Sequence, residues 1–301
     1  MRTKLITILL LTIFESTYAQ FGPQQIITSN ANQAYSVYAT DLDSDGDIDV
    51  LSASRFDNKI AWYENDGDGN FGAQQIITAN AEQAYSVYAE DLDDDGDMDV
   101  LSASYFDGKI AWYENDGDGN FGPQKIITNT TSTSGAFAVY AEDLDGDGDM
   151  DVLSASRSFK KIAWYENDGD GNFGTQQIIT TNADGAYSIY TEDLDGDGDM
   201  DVLSASYFDD KLAWYENDGD GNFGPQIILT DIASRVRSVY AEDLDGDGDM
   251  DVLSATKDED KIDWYENDGA GNFGPQHIIT TNADGAFSVY AEDLDDDGDM
   301  D

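Results

Sequence analysis

The chain has 301 residues, of which 64 are acidic and 14 basic, giving a net charge of −50, with no cysteine and one histidine. So large an acidic excess excludes nucleic acid and anionic membrane surfaces as partners, because both call for a basic patch. It does not make the chain disordered, since 40% hydrophobic and 12% aromatic residues are enough to build a core.

The first predicted element is a secretory signal. Arg2 and Lys4 supply the positive start, Leu5 to Phe14 the apolar run, and Thr17-Tyr18-Ala19 the small residues at the cleavage positions. The run is too short to span a bilayer, and no later stretch is longer, so membrane insertion is not expected. Cleavage after Ala19 divides the chain into a signal peptide (1–19) and a mature, exported part (20–301). An extracellular chain without cysteine needs another staple, and calcium is abundant there.

Gln20 to Thr28 reads as a strand without its own partners. A unit then repeats. Its signature is an acidic nonapeptide, D-x-D-x-D-G-x-x-D, which begins at residues 41, 91, 143, 193, 243 and 293, a period of 50 with one step of 52. Such a period marks an array of small supersecondary units. The carboxylates are Asp41, Asp43, Asp45, Asp47 and Asp49 in the first copy, then Asp91, Asp93, Asp95, Asp97 and Asp99. The third copy has Asp143, Asp145, Asp147, Asp149 and Asp151, and the fourth Asp193, Asp195, Asp197, Asp199 and Asp201. The fifth has Asp243, Asp245, Asp247, Asp249 and Asp251, and the sixth Asp293, Asp295, Asp297, Asp299 and Asp301.

Carboxylates this dense repel one another unless a cation sits among them. Calcium fits best, taking six to eight oxygens at ~2.3–2.6 Å in flexible geometry, whereas magnesium demands a strict octahedron and keeps its water. Positions 1, 3 and 5 are read as side-chain ligands, position 7 as a carbonyl ligand with its carboxylate outward, and position 9 as the closing ligand. Gly46 and its copies take the sharp turn at position 6. One calcium per repeat, up to six, is expected. An EF-hand is excluded, because position 12 is Ser52, Ser102, Ser154, Ser204 or Ser254 rather than glutamate, and a β-type segment follows instead of a helix.

The second unit shows the rest of the pattern. Tyr85 to Ala89 leads into the loop, and Met98 to Ser104 leaves it. Lys109 to Glu114 and Phe121 to Thr128 are two more β-type runs, separated by the turn Asn115-Asp116-Gly117-Asp118-Gly119-Asn120. Four short strands per unit and no helical period predict an all-β fold, a β-propeller of four-stranded blades. The Asn-Asp-Gly turn is read as structural rather than metal-binding, since Ala270 replaces its second aspartate in the fifth unit. Trp62, Trp112, Trp164, Trp214 and Trp264 sit at one place in the third strand and read as core between blades. His277 has Gln25, Gln75, Lys125, Gln177 and Ile227 as counterparts and reads as incidental.

These units resemble FG-GAP/VCBS-type repeats, the propeller repeats of secreted bacterial proteins and of the integrin α-subunit head. The likeness runs from Phe21 to Asp301. It rests on the acidic loop together with the downstream Asn-Asp-Gly-x-Gly-Asn-Phe. It implies that the loop joins the first two strands of a blade and holds calcium. One departure is Ser52-Ala53-Ser54 and its copies, where integrin-type repeats carry Gly-Ala-Pro; this favours the secreted microbial type. Five complete units between two partial ones suggest a blade shared by the chain ends and a fragment of a longer chain. The resemblance implies an intact ring of seven blades, with six as runner-up.

Strand parity puts the acidic loops and the Asn-Asp-Gly turns on one face, and the variable connections on the other. Arg55, Tyr105, Arg157, Tyr207, Arg235 and Arg237 lie on the variable face. Binding residues favour loops held by a rigid scaffold, so these are candidate ligand contacts, with unconstrained drift as the other reading. The expected function is a secreted calcium-binding propeller serving as a binding or adhesion module for a glycan or extracellular protein, not an enzyme. The alternatives are a propeller polysaccharide lyase and an accessory domain of a larger secreted enzyme.

Overall fold

A computed structural model describes residues 23–129, 135–295 and 297–301. Gln20 to Gly22, the signal segment and most of the insertion near Asn129–Gly135 lie outside the described residues. Five four-stranded antiparallel sheets follow one another along the chain, each with its strands in sequence order. The first is β1 (Ala34–Thr40), β2 (Asp49–Ser54), β3 (Lys59–Tyr63) and β4 (Gln75–Thr78), and the second is β5 (Ala84–Glu90), β6 (Asp99–Ser104), β7 (Lys109–Tyr113) and β8 (Lys125–Thr128). The other three begin at Ala136, Ala186 and Val236. Among the described residues, no helix is long and apolar enough to cross a membrane.

The core lies between sheets. Leu42, Leu51, Ile60 and Trp62 of the first unit pack against Ala84, Val87, Val100 and Tyr113 of the second. The same set recurs at the next three junctions. Strands buried on both faces lose the polar alternation of a half-exposed sheet, which is why β6 is buried along its whole length. Trp62, Trp112, Trp164 and Trp214 are all in this core, as the sequence suggested.

The first strands are innermost and surround an axial channel. Tyr38, Tyr88, Tyr140, Tyr190, Tyr240 and Tyr290 follow one another around it, with neighbouring rings 4.5–5.5 Å apart. Nearer one mouth, Tyr35 meets Tyr85, Phe137 and Phe287, reaching across the channel. Five complete units and the start of a sixth line the channel.

The two orphan strands are not strands. Residues 23–28 and Phe287 to Asp301 carry no ladder. A β-type sequence becomes a strand only beside a partner, and among the described residues neither segment is paired with one. Phe287 and its neighbours still continue the channel wall, with the Val289 amide donating to Ser238 Oγ as Val87 does to Ser36 Oγ.

Candidate metal loops and the opposite mouth

Each of the first five acidic loops joins the first and second strands of a sheet. The second loop shows how it is held. Asp91 Oδ2 accepts the Gly96 amide at 2.9 Å and Asp95 Oδ1 accepts the Asp97 amide at 3.0 Å. Asp99 is fully buried; its two oxygens accept the Leu92 amide at 3.2 Å and the Asn115 amide at 2.8 Å. Gly96 stands at φ +94°, and the copies Gly46, Gly148, Gly198, Gly248 and Gly298 are alike, a region closed to ordinary side chains.

The carboxylates converge as the spacing required. Ligand atoms of positions 1, 3 and 5 lie within 4.8 Å of one another in the first, third, fourth and fifth loops. In the second, Asp91, Asp93 and Asp99 form the group. Position 9 is thus first a loop lock, satisfied by two backbone amides, and its remaining lone pairs are what it can offer an ion. At position 7 the Asp97 carboxylate leaves the loop centre, and a Cβ placed on Gly117 would stand 2.6 Å from it.

Several inward oxygens have no partner. Oδ1 of Asp41 and Asp91, and of Asp43, Asp93, Asp145, Asp195 and Asp295, is buried and unbonded. Buried acceptors are nearly always satisfied, so these call for a ligand. Burial, aided by neighbouring carboxylates, pushes Asp43 up to about 6, and burial pushes Asp99, Asp151 and Asp201 up to about 7 and Asp251 up to about 6. An all-oxygen set with orphaned, charge-strained carboxylates fits a hard divalent cation.

The Asn-Asp-Gly turn is structural, but it also does something the sequence did not disclose. Asp116 accepts from the Asp118 and Asn120 amides and from the Asn120 side chain. Ala270 donates to Asp268 through its backbone in the same way, which explains why a carboxylate at that position is dispensable to the turn. The leading asparagine reaches the blade before it: Asn115 Nδ2 donates to the Leu42 carbonyl at 2.7 Å, inside the first acidic loop. Asn167, Asn217 and Asn267 repeat this toward Leu92, Leu144 and Leu194. Its invariance at the 50-residue period was the available signal.

The opposite mouth gathers the six predicted contacts. In every sheet the pairing of the first two strands shifts by one residue near the start of the first strand, between Ala84 and Ser86 in the second unit. Such a bulge re-aims a side chain. The bulged residues are Tyr35, Tyr85, Phe137, Tyr187 and Arg237, and all five line an axial cavity of about 320 Å³, together with Phe287. The residues just beyond the second strands stack on them. Arg55 lies 5.1 Å from the Tyr85 ring, and Arg157 lies 5.0 Å from the rings of Tyr187 and Phe208. Arg237 lies 4.7 Å from Phe287, and Arg235 lies 5.6 Å from Tyr207 while pairing with Asp258 at 3.2 Å. Tyr105 packs 5.4 Å from Tyr85, and Tyr207 stacks on Tyr187 at 4.8 Å. The inner aromatic circle was missed in the sequence, because a bulge is a property of pairing.

Four-stranded blades packed face to face around a channel define a β-propeller. The FG-GAP-like repeat family matches residues 41–102, 91–154, 143–204, 193–254 and 243–301, and the chain belongs to that family. Comparison with curated proteins finds no match. Solved propeller-like structures are similar in fold. An Agrocybe aegerita lectin that recognises non-reducing terminal N-acetylglucosamine superposes with a TM-score of 0.60 at 21% identity, over 84% of this chain and 67% of the lectin. Virginiamycin B lyase from Staphylococcus aureus gives 0.59 at 13% identity, over 87% and 75%. A chain of the nidogen/laminin complex gives 0.54 at 9% identity, over 80% and 79%.

Proposed function

We propose that the chain is an exported, calcium-loaded propeller that works as a binding or adhesion module, holding a glycan or an extracellular protein at the mouth away from the acidic loops. The observation that carries this reading is the division of labour between faces. One face repeats the same oxygen cluster in every unit; the other concentrates the positions where units differ around a single cavity. Positions 1, 3 and 5 of each loop, with position 9 behind them, would hold the ion. Bound calcium supplies the positive charge that lets those carboxylates stay ionised side by side. A lectin and a laminin-complex protein share the fold, which supports a binding role.

The reading is of binding without turnover. His277, on an outer strand, stacks on Trp264 at 4.7 Å and does not line the axial cavity. The test has two parts. Calcium should raise the melting temperature of the mature chain and a chelator should lower it; a chelator that leaves it unmoved rejects the metal role. Exposure to a glycan array should give retention without release of unsaturated sugar, whereas ultraviolet absorbance growing with time would mean a lyase.

A further inference from the structure

The sequence contains five arginines, and the four beyond Arg2 are Arg55, Arg157, Arg235 and Arg237. All four stand at the same mouth. In a chain with 64 acidic residues, three of them have no carboxylate partner among the described residues. The Nε atoms of Arg55, Arg157 and Arg237 are buried and unbonded. The lysines on the same loops behave differently. Lys59, Lys109, Lys211 and Lys261 each hold a neighbouring acid, Asp57, Asp107, Asp209 and Glu259. Those four lysine charges are answered internally, and three of the four arginine charges are left open.

A guanidinium lying on an aromatic ring keeps its in-plane donors free, and those donors match the paired oxygens of a carboxylate or sulfate. At this mouth the rings form the wall and the arginines punctuate it, with Arg237 replacing an aromatic residue in the inner circle. Phe56, Phe106, Phe159 and Phe208 are exposed on the surrounding loops, at 60%, 68%, 47% and 56%. Flat, exposed rings around a charged centre suit the apolar face of a sugar. A cavity of about 320 Å³ accommodates a terminal sugar rather than a folded domain.

Building on the reading that this mouth is the binding face, we infer that its ligand is an anionic glycan, its carboxylates or sulfates held by Arg237 in the cavity wall and by Arg55 and Arg157 on the rings beside it. Calorimetric titration of the calcium-loaded mature chain tests this, using dextran sulfate and hyaluronan oligosaccharides, neutral dextran of equal length, and oligoglutamate. The charged sugars should bind, and neutral dextran should bind at least tenfold more weakly. Arg157→Gln and Arg237→Gln should each weaken charged-sugar binding by roughly tenfold at an unchanged melting temperature. Arg157→Lys should recover only part of the loss, because the paired donors are gone. Arg235→Gln, which removes a guanidinium already paired with Asp258, should change little. Neutral sugars bound as well as charged ones, with the glutamine variants silent, would overturn the inference and leave the binding module standing. Oligoglutamate bound as tightly as the sugars would overturn the glycan class, and no binding of any charged sugar would overturn the inference outright.

Discussion

Asp99 shows at residue scale what the acidic loops must balance. It is buried, it accepts two amides, and it stands among other carboxylates. Asp99→Ala would leave the Leu92 and Asn115 amides without acceptors, at a cost of about 3 kcal/mol measured by urea unfolding. The pH response of the metal-free form follows from the raised values. Asp99, Asp151 and Asp201 are pushed up to about 7 by burial, against an ordinary aspartate near ~4. A folded-state value above the unfolded one stabilises below the ordinary pKa, and that stability fades as pH rises through about 7. In chelator the melting temperature should therefore fall between pH 4 and pH 7.5. Added calcium should reverse the loss near neutrality; a metal-free melting temperature that climbs over this range contradicts the assignment. Positions 1, 3, 5 and 6 were legible because ligands within nine residues depend on little besides local backbone. The second function of position 9 was not, since one of its two donors, Asn115, lies sixteen residues away.

At the scale of the element, the bulge at the head of each first strand turns an ordinary β sequence into a channel mouth. The residue entering that strand has positive φ in each unit: Gln33 at 55°, Gln83 at 56° and Arg235 at 52°, against Gly135, Gly185 and Gly285 elsewhere. Glycine adopts this region without the penalty paid by residues with a Cβ. Gln83→Gly should raise stability by about 0.5–1 kcal/mol in urea unfolding, while a loss of stability would show that its side chain outweighs the backbone. Four strands per unit could be read from alternating β-formers and Asn-Asp-Gly turns. The segments around residues 23–28 and 287–301 misled, because their composition is that of strands and only the missing partner distinguishes them.

For the whole molecule, repetition fixed the architecture. The period gives the blade, and rings of the first, third and sixth units meet across the channel. Because each core cluster is shared between two sheets, no blade has a core of its own. Thermal unfolding should accordingly be one transition at every calcium concentration, with its midpoint rising as calcium saturates the folded state. Calorimetry resolving five separate steps would contradict the shared core.

The asparagine clasp gives the ring a direction. Each of the first four acidic loops is pinned by a residue from the blade that comes after it in the chain, as Leu42 is by Asn115 and Leu92 by Asn167. As the chain folds, a blade can pair all its strands and still wait, its loop unlatched, until its successor arrives. Injury consequently travels backwards: Asn167→Ala should expose the loop around Leu92 to proteases sooner than the one around Leu194, two blades downstream. A cut between blades would harm the finished neighbour upstream more than the one that follows.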